Sequence, residues 1–113
     1  MKKEDRERFE KKELSTSFLI ACLSTCEKII SKNAYLEKKW ANTHQESISH
    51  LYSGKRKEWM EYRKKLRDVL KTDYSMKEII QMTKGCTMKS AHYDVPEVVA
   101  LIDKGDYVLV SDR

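Results

Sequence analysis

Only three glycines and one proline interrupt this chain of 113 residues, and that scarcity constrains the fold more than any other feature. Strand-rich architectures need a turn signal every ten residues or so, and their tight turns draw heavily on Gly and Pro. A sandwich or barrel is therefore a poor fit. Apolar residues make up 40% and charged residues 36% of the chain, too many large side chains for a disordered tail and too much charge for a membrane span. The composition points to a mainly α protein, and the length suits a single helical domain over 1–113. Long helices are expected over 1–72 and shorter elements over 73–113.

Residues 2–13 alternate acid and base so that Glu4 faces Arg8 and Glu7 faces Lys11, the i, i+4 order that supports an exposed helix. From Leu14 onward Phe18, Leu19, Cys22, Leu23, Cys26, Ile29 and Ile30 follow the 3.6-residue repeat over an unusually wide arc, which predicts a central core helix. Asn33 is the expected stop for that helix. Leu36, Trp40, His44, Ile48 and Leu51 then suggest a second helix, Gly54 a break or kink, and Trp59, Tyr62, Leu66, Val69 and Leu70 a third. The N-terminal part thus reads as a helical hairpin or a three-helix bundle.

The last forty residues carry explicit boundaries. Ser75 with Glu78 forms an S-x-x-E capping box and Gly85 a C-terminal cap, which bracket one short helix. Asp94 with Glu97 repeats the arrangement, Pro96 sits where a helix tolerates it, and Gly105 closes a second. Tyr107–Val110 is a short β-prone run. The order of these elements follows that of a helix-turn-helix with a β wing, in which Lys89, Ser90, His92 and Tyr93 would have to touch bases. The second helix offers only Lys104 as a cation, so a plain packing subdomain is the preferred reading.

The longest apolar run, Phe18–Leu23, is six residues against the roughly 20 of a spanning helix, so no membrane segment is expected. Five acids among residues 2–13 argue against a secretory signal. Leu19-Ile20-Ala21-Cys22 looks like a lipoprotein cleavage box, but Ser15, Thr16 and Ser17 interrupt its apolar lead-in. Three cysteines, an odd count without disulfide-like spacing, fit an intracellular compartment, whether cytoplasmic, nuclear or viral-intracellular.

The net charge of +5 is localised. Residues 55–71 hold eight Lys and Arg against Glu58, Glu61 and Asp68, and the rest of the chain sums to zero. On a helical projection Arg56, Lys57, Arg63, Lys64, Arg67 and Lys71 share an arc of roughly 120°, apart from the acids and from the apolar stripe. Solubility alone is served by interspersed signs. A one-signed strip about 20 Å long matches phosphates of a nucleic-acid backbone, and an acidic protein surface would be drawn to the same charge.

Other constellations carry less. Cys22 and Cys26 with His44 and His50 are the residue types of a zinc site, but the spacing is wrong and both cysteines lie on the core stripe, so no metal is expected. Cys86 and His92 could be a nucleophile and base, but the sequence fixes neither an orienting acid nor an oxyanion donor. His44 is expected to be partly buried beside Trp40, and His50 to face solvent. Trp40 and Trp59 are expected to anchor the core rather than to stack on bases. The sequence thus points to a small basic binding protein without catalytic residues or cofactor, associating with a nucleic-acid backbone. The alternative is a protein-binding adaptor or inhibitor, a homo-oligomer, or a small subunit of a larger assembly.

Overall fold

A computed structural model describes residues 1–87, 90 and 92–112. The order is α1 (Lys3–Glu10), β1 (Glu13–Ser15), α2 (Thr16–Ala41), α3 (Glu46–Leu70), α4 (Met76–Lys84), α5 (Asp94–Lys104) and β2 (Val108–Val110). The fold is mainly α, as the composition and periodicity predict: the long α2–α3 hairpin, the short helices α1, α4 and α5, and two three-residue strands, one of them near the C-terminus.

The first half of α2 is the hub. Ser15 stands in extended conformation and its Oγ accepts the Phe18 N–H at 3.2 Å, so the helix starts at Thr16. The Ser-Thr-Ser run that breaks the apolar pattern is thus a helix start, and Leu14, expected inside the core helix, belongs to β1. Phe18–Cys26 is buried on every side, the signature of a helix surrounded by others. Leu66 and Leu70 of α3, Ile79 of α4 and Val95 and Val98 of α5 close around it, all fully buried.

Two of the expected boundaries inside the hairpin do not form. Asn33 is mid-helix and buried, its Nδ2 donating to the Ile29 carbonyl at 2.8 Å; the side chain returns to the preceding turn instead of capping. Gly54 lies within α3, which runs 25 residues without interruption. The actual turn is Asn42–Gln45, where the Trp40 carbonyl accepts the N–H groups of Thr43 and Gln45 and His44 adopts φ 61°. His44 is therefore exposed in the turn and not on a helical stripe beside Trp40. The N-terminal part is a two-helix hairpin and not a three-helix bundle.

The ends of the fold meet in a clasp. α1 stops at Glu10, three residues short of the expected helix, and Lys12 at φ 61° turns the chain into β1. β1 and β2 pair in parallel, with Glu13 opposite Val108, Leu14 opposite Leu109 and Ser15 opposite Val110. Among the described residues β2 has no other strand beside it, so the wing of a winged helix is not formed. Lys12 pairs with Asp106, and the Ser17 N–H donates to Asp112 at 2.9 Å. Burial pushes the Asp112 carboxyl up, but the Ser17 backbone and hydroxyl with Arg8 outweigh it and hold the group below its ordinary value. Asp94, expected as a cap, is instead the first residue of α5, fully buried and 3.0 Å from the Met1 amine.

Candidate nucleic-acid interface

α3 carries three faces because its sequence repeats three kinds of residue at helical spacing. Trp59, Leu66, Val69 and Leu70 are buried against α2 and its neighbours, and Lys57, Lys64 and Lys71 are exposed. Arg56, Arg63 and Arg67 lie between these two groups. That position decides their role.

The arginines reach across to acids on α2. Arg56 Nε is 2.8 Å from Glu37 Oε2, while Arg63 Nη1 and Arg67 Nη2 lie 3.1 and 3.2 Å from the same Glu27 oxygen. These pairs match the antiparallel register of the hairpin. The Arg56 hydrogen bond holds the Glu37 carboxyl below its ordinary value. Each guanidinium presents five N–H donors, so one carboxylate contact leaves others to point outward.

The three lysines recur every seventh residue, a spacing that advances only about 20° around the helix and about 10.5 Å along it. They form a row on the outer side of the arginines. Lys57 and Lys64 make no ion pair within 4.0 Å among the described residues, and Lys71 lies 3.5 Å from Asp68 with both side chains about half exposed. A shallow groove of about 540 Å³ takes in all three lysines together with Arg63 and Arg67, and Met76 at the start of α4 forms part of its wall. The groove is not wholly basic: Glu61 and Asp68 line it, and so does Met60, which is 37% exposed. Five of the six expected residues thus share one groove, and Arg56 stands beside it, its Nη1 3.4 Å from the Met60 sulfur.

A second groove, of about 500 Å³, opens on the other side of Arg67, between α2 and α4. Lys28 and Lys84 line it with Arg67 and Glu27. Neither lysine stands out in the sequence, because each is one cation on a mixed helix and only the docking of α4 on α2 brings them to Arg67. Glu27 and Glu37 are equally invisible as partners without the hairpin register.

The remaining candidates separate. Cys22 and Cys26 are buried in α2, whereas His50 is exposed on α3 and His44 lies in the hairpin turn, roughly 30 Å along the helix from Cys22. Among the described residues no three His, Cys, Asp or Glu side chains gather as a metal site would require. Cys86 lines the groove beside α4, while His92 packs its ring edge-on to Trp59 at 4.7 Å on another face. Trp59 is a core residue as expected, with Tyr62 edge-on to it at 5.1 Å. Ser90 is tied to α2 by the Thr25 hydroxyl, Tyr93 is exposed, and Lys89 lies outside the described residues. None of the helices among the described residues is long and apolar enough to cross a membrane. Comparison with protein families, with curated proteins and with solved structures finds no match to this chain.

Proposed function

We propose that this is a small, non-catalytic binding protein that grips a nucleic-acid backbone through the outer face of α3, without reading sequence. The row of Lys57, Lys64 and Lys71 carries the reading. Ammonium groups at regular spacing on a rigid helix, backed by arginines with donors to spare, suit a repeating anion better than a single small ligand. Contacts of that kind go to phosphates and carry no base information. The three cysteines, two of them deeply buried thiols, favour an intracellular setting.

The arginines also brace the hairpin, so the informative variant is the lysine row. Changing Lys57, Lys64 and Lys71 to Gln is expected to weaken binding to unrelated oligonucleotides alike. It should also lower the slope of log affinity against log salt by up to about 3, close to one unit for each phosphate no longer neutralised. Fluorescence anisotropy across a salt series measures both, and an intact protein that binds no oligonucleotide at moderate salt would refute the proposal.

One observation favours a second reading. Glu61, Asp68, Met60 and Met76 in the same groove provide mixed charge and adaptable apolar contact, as a protein partner would use. In that case the protein is an adaptor, inhibitor or assembly subunit docking on an acidic surface, and the lysine variant loses a protein partner while oligonucleotide binding is absent from the start.

A further inference from the structure

We propose that the groove between α2 and α3, at the start of α5, is a site for an adenine-type base, a flat heteroaromatic ring with an amino group beside a ring nitrogen. Its lining shares no residue with either basic groove, and the lysine row lies on the opposite side of α3. The volume of about 490 Å³ is within the usual range for small-molecule sites. Asn33 decides what fits. It is 7% exposed and lines the groove from the middle of α2. Its Nδ2 spends one hydrogen on the Ile29 carbonyl at 2.8 Å, which fixes the amide in place and leaves the second hydrogen over. Among the described residues Oδ1 has no hydrogen-bond partner, yet no side-chain polar atom sealed from solvent lacks one, so this oxygen keeps an opening. A buried amide thus holds an acceptor, with a donor beside it, at a groove walled by rings.

The walls select a flat ligand. Trp59 lines the groove, with Tyr62 and His92 edge-on to it at 5.1 and 4.7 Å, and half-buried Tyr52 adds a fourth ring. The Tyr62 hydroxyl is engaged with Glu58 at 2.6 Å, so this residue offers a ligand its ring and not its O–H. A hydrocarbon ring would suit these walls but leave Asn33 unpaired, and a sugar would pair with Asn33 but not stack. A base does both, and an asparagine amide pairs with the amino group and adjacent nitrogen of adenine through one acceptor and one donor. Lys32 and Lys55 are exposed at the same groove and make no ion pair among the described residues, which favours a base that carries phosphate. A free nucleotide and an unpaired base within a strand offer the same chemistry.

Titration calorimetry of the unaltered protein with adenosine and with purine riboside, which lacks the amino group, tests the proposal. Adenosine is expected to bind roughly tenfold tighter, the size of one hydrogen bond whose loss leaves the Asn33 oxygen unpaired. Asn33→Leu should erase that difference. Tyr52→Ala, at a half-buried position, should weaken both nucleosides and keep their ratio. Adenosine monophosphate should bind tighter than adenosine, and Lys32→Gln with Lys55→Gln, both exposed, should remove only that advantage. Oligoadenylate that displaces adenosine and binds more tightly than the monophosphate would identify a base within a strand as the ligand, and the reverse order a free nucleotide. Absence of adenosine binding, equal affinity for the two nucleosides, or a difference that survives Asn33→Leu overturns the site. Oligonucleotide binding that needs Lys57, Lys64 and Lys71, without any adenosine binding, overturns it while leaving the lysine row standing. Adenosine discrimination through Asn33 in a protein that binds no oligonucleotide keeps the site and overturns the backbone reading instead.

Discussion

Arg56 of α3 donates to Glu37 of α2 at 2.8 Å in the outer half of the hairpin, where residues 34–58 include no buried side chain. Ser49 Oγ adds a donation to the Glu37 carbonyl at 2.9 Å. Beyond Asn33 the two helices are therefore held by polar clamps and half-buried contacts from Leu36, Trp40, Ile48 and Tyr52, with no third layer. Small changes in intrinsic helix preference should register clearly in such a region.

Gly54→Ala is the direct probe. The position is exposed and an added Cβ meets nothing within 4 Å, so the substitution should stabilise the protein by roughly 0.5 to 1 kcal/mol. Urea denaturation would show a higher midpoint. A loss of stability would mean that Gly54 is the break suggested by its sequence context.

Asp94→Asn should destabilise the protein, because the fully buried Asp94 carboxylate lies 3.0 Å from the part-buried Met1 amine and the change removes that counter-charge. The measurement is again the urea midpoint. A change below about 0.5 kcal/mol would place the amine in solvent.

Stability should fall on acidification. The Asp112 carboxyl is held below its ordinary value when folded, so the unfolded chain takes up its proton first as the pH drops. The stabilisation is complete above the ordinary carboxylate range and is lost as the pH falls through the folded value; Glu37 and Glu78, also lowered, add in the same direction. Thermal midpoints measured from pH 6 down to pH 3 should decline less steeply in Asp112→Asn than in the parent.

Native thiol labelling should reach Cys86 first. Cys22 and Cys26 are fully buried, and burial raises both thiols, Cys26 to about 12, so neither offers thiolate or access at neutral pH. Rapid labelling of all three in the folded protein would mean that the α2 face is open.

The legible part of this fold was local. The capping box at Ser75 and Glu78 forms with both of its hydrogen bonds, and Gly105 closes α5 at φ 72°, because those signals act within one helical turn. Phe18–Cys26 announced its burial because no surface helix is apolar all round. What escaped depended on distant partners. β1 is three residues, Glu13-Leu14-Ser15, with no β signature of their own; pairing with β2 makes them a strand. Asn33 and Gly54 read as stops on local preference alone, which the packing of α2 on α3 overrides. The basic face was legible as a helical arc, yet the division of labour between bracing arginines and outward lysines was not, since Glu27 and Glu37 become partners only in the folded hairpin.

The β1–β2 clasp also sets an order of events. Its paired residues stand 95 positions apart, and closing so long a loop costs entropy that only an already compact chain avoids. The α2–α3 hairpin, joined by a four-residue turn, has no such cost and can form early. Refolding should therefore acquire helical signal before β1 and β2 meet, with Ser17 and Asp112 among the last partners to find each other and among the first to part.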